Sequence, residues 1–151
     1  MATFQPADPT YEARVKASFA RQSMMTLLGA SLEHVAPGAV DIRLPFRADL
    51  TQQHGFLHAG ATTTIADSAC GYAAFSLMPP GAAVLTVEFK VNLMAPAAGE
   101  TFVARGRVVR AGRTLTICSG DVFAHDGKDE KHVLTMLATV MTVQNRAGLS
   151  D

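Results

Sequence analysis

Residues 58–78 read HAGATTTIADSACGYAAFSLM. Ala, Gly, Ser and Thr line every side of this stretch, and it holds no Lys, Arg or Glu. A helix on a protein surface normally carries a charged face. One with small residues all round is a helix that other elements enclose closely. Pro79-Pro80-Gly81 ends it. The composition therefore predicts a buried helix, and the remaining chain must supply the layer that wraps it.

That layer is legible on both sides. In 85–93, Leu85, Val87, Phe89, Val91 and Leu93 alternate with Thr86, Glu88, Lys90 and Asn92, the period-two signature of a strand. Three further strands are expected at about 100–110, 113–124 and 132–143, separated by Ala111-Gly112 and by a turn at Asp126-Gly127. Upstream, Val15, Phe19, Met24, Leu27 and Leu28 repeat at near-helical spacing between Thr10 and Leu28, with Gly29 as a stop. Short strands at 31–36 and 39–46 flank Pro37-Gly38, and a polar loop fills 47–57. Strands joined by hairpins around one helix indicate an α+β fold with an antiparallel sheet. Residues 1–9 read as a flexible lead-in, 10–144 as a single domain and 145–151 as a C-terminal tail. Such a sheet has open edges, which pairing between two copies would close.

Composition narrows the function. The chain has 151 residues and 16.0 kDa, with thirteen Lys+Arg against thirteen Asp+Glu. Zero net charge gives no field to hold nucleic acid or an anionic membrane. Charged residues make up 17%, against roughly 25% in an average soluble domain, so part of the surface is expected to be covered by another copy. Cys70 and Cys118 are too few for a disulfide scaffold. No run reaches the roughly 18 apolar residues of a membrane span. Met1 to Lys16 lacks an apolar segment behind a basic start, so a cytoplasmic location is expected.

No G-x-S-x-G elbow, P-loop or G-x-G-x-x-G fingerprint occurs. His54 and His58 are four apart, but Gly55 stands where a metalloprotease helix needs Glu, so no metal site is expected. Cys70 has no basic neighbour on the helix and reads as a small buried hydrophobe. Asp67 is the anomaly, the only charged residue between His58 and Met78. A buried carboxylate is costly unless it is hydrogen-bonded or functional. It is either a structural cap or the general base or nucleophile of a hydrolysis. The helix start supplies a complementary half. The N–H groups of Ala59 and Gly60 lie at the positive end of the helix dipole and can polarise a carbonyl. His58 and Asp67, nine residues apart, lie about 180° apart around the helix. One helix cannot aim both at the same atom, whereas two antiparallel copies can.

These residues resemble the hotdog-fold acyl-CoA thioesterases of the phenylacetate-degradation, or PaaI-like, branch, from about Met25 to Val143. GFLHAGATTTIADSA is similar to the family's N-x-x-G-x-x-H-G-G…(L)-A-D pattern, and TVEFKVNLMAPAAGE to the strand that follows it. The resemblance implies a sheet wrapped around a long central helix, working as a homodimer or a homotetramer of two dimers. It implies Asp67 as general base or nucleophile, His58 as the motif histidine and Ala59 as the backbone N–H donor to the thioester carbonyl. It further implies Gln52 in the place of an Asn that holds water or carbonyl, and Thr86 as a hydroxyl that orients the water. Ala59 replaces the first glycine of the usual pair, and Gln52 is one methylene longer than Asn.

The substrate implied is an acyl-CoA with a small, medium or aryl acyl group, and no metal or redox cofactor is implied beyond the CoA carried by the substrate. Gly60 would assist binding. Arg105, Arg107, Arg110 and Arg113, four of thirteen basic residues within nine positions, suit CoA phosphates, and Lys90 and Asn92 are weaker candidates. Tyr72, Phe75 and Met78 are candidates for an acyl slot or for simple core. Two alternatives stay open: a hydratase or dehydratase of enoyl thioesters on the same fold, and a non-catalytic acyl-CoA binder.

Overall fold

The structure is a computed structural model and describes residues 4–149. Positions 1–3 of the expected lead-in and 150–151 of the expected tail lie outside the described residues. The elements run α1 (Tyr11–Arg21), α2 (Ser23–Leu28), β1 (Ser31–Ala36), β2 (Ala39–Pro45), a 3-10 turn (Ala48–Leu50), α3 (Ala59–Phe75), β3 (Ala83–Leu93), β4 (Thr101–Ala111), β5 (Leu115–Asp126) and β6 (Asp129–Val143). The six strands form one antiparallel sheet in the order β1-β2-β4-β5-β6-β3.

The alternation that marks the strands sets the inner face of the sheet. Val40, Ile42 and Leu44 of β2, Phe102 and Ala104 of β4, Val122 of β5, and Leu134, Ala138 and Val140 of β6 are all buried. Against them α3 lays Ile65, Ala66, Ala69, Cys70 and Ala73. The seat of the helix is a pair of glycines. Gly106 and Gly120 face each other across β4 and β5. A Cβ on Gly106 would lie 2.3 Å from the Ala69 carbonyl, and one on Gly120 would lie 2.7 Å from the Cys70 sulfur. Glycine in a strand here marks close approach of another backbone. That is the enclosure which the small-residue composition of 58–78 predicts.

The expected helix over 10–28 is broken. Gln22 adopts an extended conformation (φ −80°, ψ 96°) between α1 and α2, while Gly29 ends α2 in the left-handed region at φ 72°. The elbow turns Gln22 toward α3, where the Ser68 hydroxyl donates to its Oε1 at 3.3 Å. Residues 4–9 lie against the domain: Phe4 packs over Gly38, and the buried Asp8 accepts from Thr10 N at 2.8 Å. Asp8 also pairs with Arg14 at 2.9 Å, and Arg14 donates to the carbonyls of Met78 and Pro79 just beyond α3. These contacts tie α1 to the far end of the central helix.

The strand β3 is an edge of the sheet. A bulge at Val87 interrupts its pairing with β6, and Val87, Phe89 and Leu93 are exposed. Register places Phe89 opposite Ala138 and Leu93 opposite Leu134, on the helix side of the sheet. Phe89 and Leu93 thus face the same side of the sheet as α3 yet stay exposed.

Candidate active site

The loop before α3 closes on itself. Gln52 N donates to the Phe56 carbonyl at 2.9 Å, and Gly55 turns the chain at φ 84°. His58 ends the loop as the N-cap of α3, its extended backbone (φ −62°, ψ 140°) giving way to helix at the next residue. Its Nδ1 accepts from Gly60 N at 2.8 Å. The Ala61 N–H donates to the His58 carbonyl at 2.9 Å. Capping thus uses the Gly60 and Ala61 donors and leaves the Ala59 N–H, at the positive end of the dipole, without a hydrogen-bond partner among the described residues. The Gln52 Oε1 accepts from His54 N, so its amide nitrogen is the group left to donate.

Asp67 stands about 12 Å further along the helix, eight residues at 1.5 Å each. It is half-buried, and the Thr86 hydroxyl of β3 donates to its Oδ1 at 2.8 Å. Burial pushes the Asp67 carboxyl above its ordinary value, and the Thr86 hydrogen bond opposes that shift. A carboxylate with raised basicity and one oxygen anchored is suited to taking a proton through the other.

Two separate cavities follow. One of about 290 Å³ holds Asp67 and Thr86 with Ser18, Gln22, Ser68, Gly71 and Tyr72. The other, about 480 Å³, holds Ala59 and Gln52 with Phe56, Leu93, Met94 and Val133. The fold brings Asp67 to Thr86, and Gln52 to Ala59, but keeps the two pairs apart.

The remaining sequence candidates fall elsewhere. Arg105 pairs with Glu130 at 2.5 Å and stacks over Phe123, while Arg107 pairs with Asp41. A bulge between Val108 and Arg110 sets Arg110 opposite Ile117, on the outer face with Arg105 and Arg107. Arg113 is exposed at the β4–β5 turn. Lys90 donates to Asn92 at 3.1 Å on β3. None of the four arginines lines the cavity of Asp67 or that of Ala59. Tyr72 does border the Asp67 cavity, whereas Phe75 and Met78 are core. Burial raises the thiols of Cys70 and Cys118, the latter to about 12, which makes both poor nucleophiles.

Ser18 and Gln22 were not singled out in the sequence. Both reach the cavity only because α1 packs beside α3 and breaks at Gln22, and neither event has a local sequence signal.

The model of the thioesterase superfamily matches residues 54–131, just over half of the chain. The chain belongs to this superfamily, whose reaction class is thioester hydrolysis, and its fold is the PaaI-like hotdog fold. A thioesterase family protein from Silicibacter pomeroyi is 52% identical with a TM-score of 0.88, covering 89% of this chain and 99% of that one. Human acyl-coenzyme A thioesterase 13 is 30% identical over 110 residues, 72% of this chain and 78% of its own length. A relative from Halobacterium salinarum is 34% identical over 99 residues, and the match spans 65% of its length. The E. coli PaaI protein of the phenylacetic acid degradation operon shares the fold at a TM-score of 0.81 and 18% identity, over 91% of this chain and 96% of that one. No helix among the described residues is long and apolar enough to cross a membrane.

Proposed function

We propose that the chain hydrolyses acyl-CoA thioesters with small, medium or aryl acyl groups to CoA and the free acid, in a site shared by two copies. The observation that carries this reading is the separation of the donor from the base. The partnerless Ala59 N–H and the basic Asp67 sit in different cavities of one chain. The uncovered helix-side residues of the β3 edge, Phe89 and Leu93, give a second copy a place to pair. An antiparallel copy brings Ala59 of one chain to Asp67 of the other, as the half-turn between helix start and Asp67 requires.

In that arrangement the thioester oxygen accepts from the Ala59 N–H, with the Gln52 amide beside it. Asp67, held through Oδ1 by Thr86, takes a proton from water as the water oxygen bonds to the thioester carbon. The tetrahedral oxyanion builds up where the helix dipole stabilises it. It collapses by breaking the C–S bond, and the CoA sulfur leaves as the thiol with the proton from Asp67. The covalent alternative has Asp67 attack the carbon, expel CoA thiolate and form a mixed anhydride that water then opens. Labelled solvent oxygen entering Asp67 in a single turnover distinguishes the two. His58 acts as the cap that sets the helix start. Arg110 and Arg113, which have no carboxylate partner among the described residues, remain the candidates for CoA phosphates. No metal or redox group enters this reaction, and a cytoplasmic homodimer or homotetramer goes with it.

A mixing experiment tests the shared site. Asp67→Asn removes the base. Ala59→Pro removes the N–H at a position where proline is tolerated, and the extended His58 before it already suits proline. Each variant alone should lose about 10²–10³-fold of the thiol release from acyl-CoA. Co-refolded heterodimers should recover activity, because one of their two sites then has both groups intact. Mixtures as inactive as the parents would overturn the shared site. Wild type that hydrates crotonyl-CoA without releasing thiol, or that matches Asp67→Asn, would overturn the hydrolase itself.

A further inference from the structure

Glycine is the poorest helix former after proline. Gly106 and Gly120 are explained by crowding, since the central helix rests directly on them. Gly71 is not. It lies in the interior of α3, outside the left-handed region, and a Cβ built on it would meet nothing within 4 Å. Neither conformation nor packing within the chain requires a glycine there. What Gly71 does border is the cavity of about 290 Å³ that holds Asp67. It sits four residues beyond Asp67, one turn along the same face of the helix. The same cavity is lined by groups of another element, Ser18 and Arg21 of α1 and the elbow residue Gln22, with Tyr72 of α3. The Ser18 hydroxyl lies 3.5 Å from that of Tyr72, and Gln22 accepts from Ser68. These contacts hold this part of the lining in place.

We propose that Gly71 is a specificity-determining residue of the acyl cavity. The missing side chain leaves the passage by which an acyl group runs from the reacting carbon at Asp67 to the wall of Ser18, Gln22 and Tyr72. The inference rests on the thioesterase reading above and deepens it. With no side chain at Gly71, the cavity accepts acyl groups bulkier than acetyl that a side chain there would obstruct.

The test compares wild type, Gly71→Ala and Gly71→Val on acetyl-, hexanoyl-, benzoyl- and phenylacetyl-CoA, following thiol release. The readout is the ratio of kcat/KM for phenylacetyl-CoA to that for acetyl-CoA. It should fall by about tenfold or more in Gly71→Val and by less in Gly71→Ala, the scale on which a few added carbons in a substrate pocket discriminate. Both variants should melt at or above wild type, because each replaces a helical glycine, and both should keep the wild-type sedimentation coefficient. A ratio that stays within about threefold while both rates fall together would overturn the proposal. A loss of the oligomer would do the same, by assigning Gly71 to subunit packing. These failures are distinct from failure of the thioesterase reading, in which wild type releases no thiol from any of the substrates or Asp67→Asn releases it equally well.

Discussion

Asp67 is placed where a carboxylate is least comfortable and most useful. Burial raises its carboxyl and Thr86 draws it back down, so the two can be separated by mutation. Thr86→Val keeps the shape and removes the donor, and the carboxyl then rises further. The acid limb of the kcat/KM profile should move to higher pH than in wild type, with activity lost at pH values where wild type still works. Stability follows the same shift with opposite consequence. A carboxyl that titrates higher in the folded state than in the unfolded state favours folding while protonated, and that contribution is lost as pH rises through the folded-state value. Asp67→Asn should therefore melt above wild type at neutral pH, with the difference shrinking on acidification, measured by calorimetry across pH. The isolation of this charge among Ala, Ser and Thr was readable in the sequence. The vacancy of the Ala59 N–H was only half readable, because it depends on the His58 ring turning back to Gly60. Arg110 joins the face of Arg105 and Arg107 through a one-residue bulge that strand parity does not reveal.

At the scale of elements, the central helix and the glycine pair beneath it act as one unit. Gly106→Ala forces a methyl group onto the Ala69 backbone, which cannot swing aside as a side chain would. It should lower unfolding free energy by about 1–3 kcal/mol, as overpacked cores do, read by denaturant titration. Gly120→Ala meets the Cys70 sulfur instead, a softer obstacle, and should cost less. The sequence predicted the buried helix because its small residues repeat on all sides, and it predicted β3 because Leu85 to Leu93 alternate without error. It predicted one N-terminal helix where there are two. Gln22-Ser23-Met24 holds neither Pro nor Gly, so nothing local announces a break that is made by packing beside α3.

For the whole molecule, the open β3 edge is the feature most at odds with a solitary chain. Phe89 and Leu93 face the helix side of the sheet yet stay exposed. A shortage of charge in the composition pointed to such a surface without locating it. Phe89→Glu alters a side chain that the single chain does not bury, so the fold should persist. Sedimentation velocity should show a monomer, and thiol release should fall with it. A dimer of normal activity would count against pairing through this edge.

The distance of about 12 Å along α3 between the Ala59 donor and Asp67 has a consequence for regulation. If neither copy can act without the other, the protein's abundance sets its rate. Well below the dimer dissociation constant, turnover would grow with the square of chain concentration. A cell making little of the protein would keep its thioesters intact, and modest induction would switch on their removal steeply, with no effector needed.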